Sequence, residues 1–126
     1  MAYTITEVAE KTGLSTDTLR YYERDGLLLA PIRRSASGHR RYTASDLEWI
    51  TLVTRLRATG MPIRDVRRYT ELVRGGDGNE AERLELLHAH RDQVLAQLAE
   101  VQAHLEAINV KIGVYEERLS GTELSA

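Results

Sequence analysis

The 126-residue sequence contains no cysteine. Disulfides, thiolate metal sites and thiol redox switches are therefore excluded, and several sensing chemistries go with them. Nor is there a run of about 18 apolar residues, so no segment is suited to cross a bilayer as a helix. The start, Met1-Ala2-Tyr3-Thr4, lacks the basic end and apolar run of a secretory signal, and the expected location is the cytoplasm. There is no Gly-rich phosphate loop, no His-Glu-x-x-His pair and no nucleophile recognisably spaced from a base, which argues against an enzyme. The candidate metal ligands are His88, His90 and His104. His88 and His90 lie two apart on different helix faces, with no acid or cysteine at ligand spacing, so neither a metal nor a cofactor is expected.

What is present suits one compact domain plus an extended element: 42% hydrophobic and 29% charged residues describe a chain that folds. The net charge of −2 hides a division. Residues 1–75 carry 13 Lys+Arg against 9 Asp+Glu, whereas residues 76–126 carry 4 against 10. A basic front attracts phosphates through counterion release, and an acidic back keeps that attraction local.

The front half is organised around Ser15 to Gly26. Ser15 is a good N-cap, and Gly26 can adopt the left-handed conformation that closes a helix. On this helix Asp17, Arg20, Tyr21 and Arg24 share one face, while Leu19 and Tyr22, with nearby Leu14, turn the other way. A shorter helix precedes it, with Thr6 expected as N-cap, Val8 and Ala9 inside, and Thr12-Gly13 as stop and turn. The pair has helix-turn-helix spacing, in which the first helix braces the second and the second meets the major groove. After Gly26, Leu27 to Arg34 and His39 to Tyr42 read as two short strands around the polar turn Ser35-Ala36-Ser37-Gly38. Arg33, Arg34, Arg40 and Arg41 cluster at the base of this hairpin, which suits a wing lying along the DNA backbone.

Thr43-Ala44-Ser45-Asp46 opens the next helix as a capping-box variant, and Leu47, Trp49, Ile50, Leu52, Val53 and Leu56 give it a wide apolar surface. It is expected to end at Gly60. Pro62 then begins a helix with Ile63, Val66, Tyr69 and Val73 on one line and Arg64, Arg67, Arg68 and Arg74 around it, facing either phosphate or solvent. Gly75-Gly76-Asp77-Gly78 breaks the chain. The expected division is a DNA-binding domain with connecting helices over 1–75 and a dimerisation helix with a short tail over 76–126.

Beyond the break one heptad register runs unbroken, with Leu84, Arg91, Leu98, Leu105, Ile112 and Leu119 at one core position and Leu87, Val94, Val101, Ile108 and Tyr115 at the other. Ten of these eleven are apolar, which means a coiled coil of roughly 60 Å whose simplest partner is a second copy of the chain. Arg91 either pairs with an acid of the partner or snorkels.

The order Thr6-Glu7-Val8-Ala9, Gly13-Leu14-Ser15, Thr18-Leu19-Arg20-Tyr21-Tyr22-Glu23, Gly26-Leu27-Leu28, Gly38-His39-Arg40-Arg41-Tyr42 and Asp46-Leu47 resembles the MerR family of bacterial transcriptional regulators. The resemblance covers residues 3 to about 75 by motif and the remainder by architecture. It implies a mainly α fold: an N-terminal winged helix-turn-helix, a helical linker pair, and a long C-terminal helix forming an antiparallel coiled coil between two subunits. It implies a homodimer on a pseudo-palindromic promoter site in double-stranded DNA, distorting the duplex so that RNA polymerase can use both promoter elements. Carried over by position, Thr16, Thr18, Arg20 and Tyr21 lie at the groove, and Arg33, Arg40 and Tyr42 hold phosphates from the wing. His39 replaces the tyrosine usual after the wing glycine, which puts its backbone contact in question, although a histidine can still donate one. Arg20 either reads guanine or clamps phosphate. Asp17 is best explained as a favourable charge in the first helical turn.

Family members that sense metals or redox signals use cysteines, and drug-sensing members append a binding domain; here only residues 120–126 follow the seam. An effector, if there is one, is expected between the coiled coil and the other subunit's DNA-binding part, near Tyr69, Tyr115 and the glycine break. Two other functions compete with the regulator: an excisionase-like architectural protein, which would lack the long seam, and a coiled-coil interaction module whose basic front binds an acidic protein.

Overall fold

The computed structural model describes residues 2–121, so the tail expected after the seam lies, from residue 122, outside the described residues. The chain divides into two compact units, Met1–His88 and Ala89–Ala126.

In the first unit the elements run β1 (Ala2–Tyr3), α1 (Ile5–Thr12), α2 (Thr16–Arg24), β2 (Arg33–Arg34), β3 (Arg40–Thr43), α3 (Ala44–Ala58) and α4 (Ile63–Arg74), followed by the first turns of α5 (Glu80–Leu119). The caps explain most boundaries. Ser15 Oγ accepts from the Thr18 amide at 3.0 Å, and Gly26 takes φ +73°, as its place after α2 requires. Thr43 and Asp46 form a reciprocal capping box at the start of α3. Helix α1 starts earlier than its expected Thr6 cap: the Thr4 hydroxyl accepts from the Glu7 amide at 3.1 Å, and Glu7 Oε1 accepts from the Thr4 amide at 2.8 Å. Thr4-x-x-Glu7 is the true capping box, and Thr6 lies inside the helix. The Thr4 amide chiefly, with its hydroxyl, holds the Glu7 carboxyl below the ordinary glutamate range.

The three strands form one antiparallel sheet in the order β1-β3-β2. The register sets Tyr3 against Tyr42, Arg33 against Arg41 and Arg34 against Arg40. Only Arg33–Arg34 of the expected Leu27–Arg34 strand joins the ladder. Leu27, Leu28 and Ile32 instead drop into the core, and side chains serve the backbone in place of a neighbouring strand. Trp49 Nε1 donates to the Leu27 carbonyl at 2.8 Å, and Arg74 Nη2 donates to the carbonyls of Gly26 and Leu28.

The core joins Val8 of α1, Leu19 and Tyr22 of α2, Tyr42 of β3, Ile50, Val53 and Leu56 of α3, Met61, and Val66 of α4. Burying each large side chain contributes about 1.5–3 kcal/mol, so α3, which supplies three and packs Leu47, Trp49 and Leu52 around them, is the central post. The Trp49 and Tyr69 rings stack at 5.7 Å with 7° between planes, fixing α4 on α3. The thin second unit is the remainder of α5, a single helix with ten large apolar side chains exposed along the whole of α5. Among the described residues no helix is long and apolar enough to cross a membrane.

Candidate nucleic-acid interface

Helix α2 and the β2-β3 hairpin border a cleft of about 550 Å³ that also takes in Thr4 and Thr6 at the start of α1. Arg20 enters it from α2, and Arg34, Arg40 and Arg41 enter it from the hairpin. Like charges directly opposite on paired strands repel, yet β2 and β3 set arginine against arginine at both of their paired positions. Folding alone gives no reason for that arrangement; an anion against the hairpin does. Arg33, Arg34 and Arg41 make no ion pair among the described residues, so three of the four charges have no carboxylate partner there.

The hairpin tip is braced. Arg34 Nη1 donates to the Gly38 carbonyl at 3.1 Å, the Ser35 amide to the His39 carbonyl at 2.8 Å, and Gly38 supplies φ +85°. The His39 amide donates to Ser35 Oγ at 3.3 Å, while the exposed ring places Nδ1 3.2 Å from Ser37 Oγ. His39 therefore has its backbone donor engaged and its ring exposed, with Nδ1 bonded to Ser37 and Nε2 open to a phosphate.

On α2, Thr16 and Thr18 are half-exposed and Arg20 is exposed. Arg20 Nη1 meets Asp17 Oδ1 at 3.2 Å and Thr16 Oγ1 at 3.4 Å, so Asp17 steers the arginine as well as occupying the first turn. Both partners are open to water and the pair itself stabilises little. Tyr21 is half-buried, with its ring 6.1 Å from Tyr22 and Arg24 lying 5.7 Å over it.

Two wing residues sit elsewhere than expected. Tyr42 is wholly buried, its hydroxyl has no hydrogen-bond partner among the described residues, and burial pushes its ionisation up. It belongs to the core and does not hold phosphate, because side chains alternate along β3: Arg40 and Tyr42 share the inner face. Arg33, on the opposite face with Arg41, lines a separate cavity of about 290 Å³ with Leu29, Pro31 and Trp49. The expectation did not name Arg34 and Arg41 as phosphate contacts, although both also line the cleft; alternation is a signal for Arg34 but sets Arg41 on the face of Arg33. Once Tyr42 is assigned to the core, Arg40 and its neighbour Arg34 turn with it.

The α4 arginines resolve individually. Arg67 reaches Asp25 Oδ2 at 3.2 Å, Arg68 reaches Glu82 at 2.7 Å, and Arg74 holds the Gly26 carbonyl at 3.0 Å, which leaves Arg64 beside Asp65 at 3.9 Å on the surface. Along α5, Leu84, Leu98, Val101, Leu105, Ile108, Ile112, Tyr115 and Leu119 are exposed, and Val94 is half-buried. Leu87 is half-buried and packs in part on the core of its own unit.

The chain matches two family models, one for the MerR HTH family regulatory protein over residues 3–72 and one for the MerR DNA-binding region over residues 47–109. It is 38% identical over 116 residues to an uncharacterized HTH-type transcriptional regulator of Haemophilus influenzae, covering 92% of this chain and 85% of that one. Among solved structures it resembles HiNmlR, a MerR family regulator lacking the sensor domain and bound to promoter DNA. That match has TM-score 0.87 and 37% identity, covering 95% of this chain and 90% of the other. A MerR family regulator from Bacillus thuringiensis is similar at TM-score 0.78 and 29% identity, covering 90% and 98%.

Proposed function

The chain belongs to the MerR family of helix-turn-helix regulatory proteins and is a DNA-binding transcriptional regulator; we propose that two copies seat α2 and the β2-β3 hairpin on the two halves of a pseudo-palindromic promoter site. The observation that carries this reading is the pair of arginine-on-arginine contacts across the hairpin, beside Arg20, in one cleft. Thr16, Thr18, Arg20 and Tyr21 meet the groove, while Arg34, Arg41 and His39 hold the backbone, with Arg40 between them. The basic unit is the DNA-binding domain, and the exposed seam of α5 is the dimer contact. A C2 pair gives the twofold symmetry that a palindrome mirrors. Apolar side chains from Leu98 to Leu119 that stand about half-exposed are what a second copy would cover.

Two rigidly spaced heads on a duplex that does not fit them bend or untwist it, at a cost the added contacts repay. By this route the protein would realign promoter elements for RNA polymerase. The reading places the chain in the cytoplasm and gives it no catalysis. Selection of duplexes from a randomised pool, followed by footprinting, tests it. The expected result is an enriched palindrome with hypersensitive central bases; enrichment of single half-sites, or none, would refute it.

A further inference from the structure

Glu23 is badly placed for a solvated carboxylate. It is the next-to-last residue of α2, where the negative end of the helix dipole disfavours another negative charge, and it sits on the helix offered to phosphates. Its partner explains it. Arg40 Nε donates to Glu23 Oε1 at 2.7 Å, and the two side chains are only 21% and 22% exposed. No other contact fixes the Arg40 guanidinium among the described residues, although the residue lines the DNA-facing cleft.

A guanidinium held through Nε has its plane and its two Nη nitrogens oriented before DNA arrives, which removes part of the ordering cost of binding. The same bond ties β3 to α2, so the hairpin and the groove-entering helix move as one body. Asp25 shows the contrast. It lies two residues on and pairs with Arg67 of α4, away from the cleft, so the two carboxylates at this end of α2 anchor different elements.

We propose that Glu23 is a positioning residue for DNA binding, holding Arg40 by Nε so that its Nη nitrogens meet a backbone phosphate and the hairpin keeps its angle to α2. This rests on the reading of the cleft as the DNA interface. The opposite expectation follows from charge alone: removing a carboxylate near DNA strengthens binding.

Affinity and its salt dependence, measured on a mixed-sequence duplex and on a selected duplex, separate the two. Glu23→Gln removes one negative charge per subunit yet should weaken binding by about tenfold, the loss of a positioned contact to a charged group. Its salt slope should fall towards that of Arg40→Gln, a readout that loosened packing alone would not move. In an Arg40→Gln background Glu23→Gln should cost nothing further. Arg40→Lys keeps the charge without the Nε and should lose affinity comparably, which keeps the test open if Glu23→Gln melts below the assay temperature. Tighter binding by Glu23→Gln, an equal loss in both backgrounds, or wild-type affinity in Arg40→Lys would overturn the positioning role. Failure of the wild-type protein to bind either duplex would instead sink the regulator reading, and this role with it.

Discussion

Tyr42→Phe removes one oxygen from the centre of the first unit, and its effect can be worked from the burial of that atom. The residue is fully inaccessible, and its hydroxyl lies in the core with no hydrogen-bond partner among the described residues. A buried polar group left unpaired costs about 1–3 kcal/mol, and the space vacated by a single oxygen is too small to cost as much in lost packing. The variant should therefore be more stable by about 1 kcal/mol, a melting shift of roughly 4–8 °C for a domain of this size. Trp49, the single tryptophan, sits half-buried in the same unit and reports its unfolding by fluorescence. Wild type and variant should be compared at one protein concentration, because a dimer's apparent stability depends on it.

The pH profile adds a sign. Burial raises the Tyr42 ionisation above the ordinary tyrosine value of about 10, so the folded state keeps its proton where the unfolded chain loses it. The stability this represents is fully present below the ordinary value and is lost as pH climbs past it. Tyr42→Phe should flatten that alkaline loss while leaving DNA affinity unchanged. A destabilisation above 1 kcal/mol, or loss of DNA binding, would mean that the hydroxyl has a partner or a phosphate and that its assignment to the core is wrong.

Arg41→Ala should lower the salt slope of DNA binding by about 2 for a dimer, one phosphate contact per subunit, whereas Arg33→Ala should change it little; titrations over a salt series decide whether the cleft or the separate cavity beside Arg33 takes the phosphate. Leu105→Glu buries a charge in the proposed seam and should dissociate the dimer, seen by sedimentation, with DNA affinity falling at least about tenfold, while the Trp49-reported melting of the first unit stays cooperative.

The sequence was most legible where short-range chemistry decides. Ser15, Thr43 with Asp46, and Gly26 each do what their residue types allow, and the apolar period of α5 needs no tertiary context to be read. Thr4 is readable by the same rule, but Thr6 competes with it by standing closer to the apolar pair Val8 and Ala9. The Leu27 to Ile32 segment was not legible as what it is. Its β-like composition describes burial, and its backbone is satisfied by Trp49 and Arg74, 22 and 46 residues from their acceptors Leu27 and Leu28. The two-residue strand β1 exists only because β3 is there to pair with it.

The arginines mark the same boundary within the site. Composition gives the total charge, but whether Arg40, Arg67 or Arg74 is spent inside the protein depends on Glu23, Asp25 and the Gly26 carbonyl, brought near by the fold. Arg34 could have been placed by strand alternation and its pairing with Arg40, given one correct assignment of Tyr42; Arg41 could not, because alternation turns it to the face of Arg33.

In the proposed assembly two copies of this chain grip one symmetric duplex. The most direct test is the mass of the protein–DNA complex, by native mass spectrometry or sedimentation, on the selected palindrome and on the same duplex with one half-site scrambled. Two chains per palindrome and a large loss of affinity on the scrambled duplex are expected. One chain per duplex, bound equally to both, would contradict it.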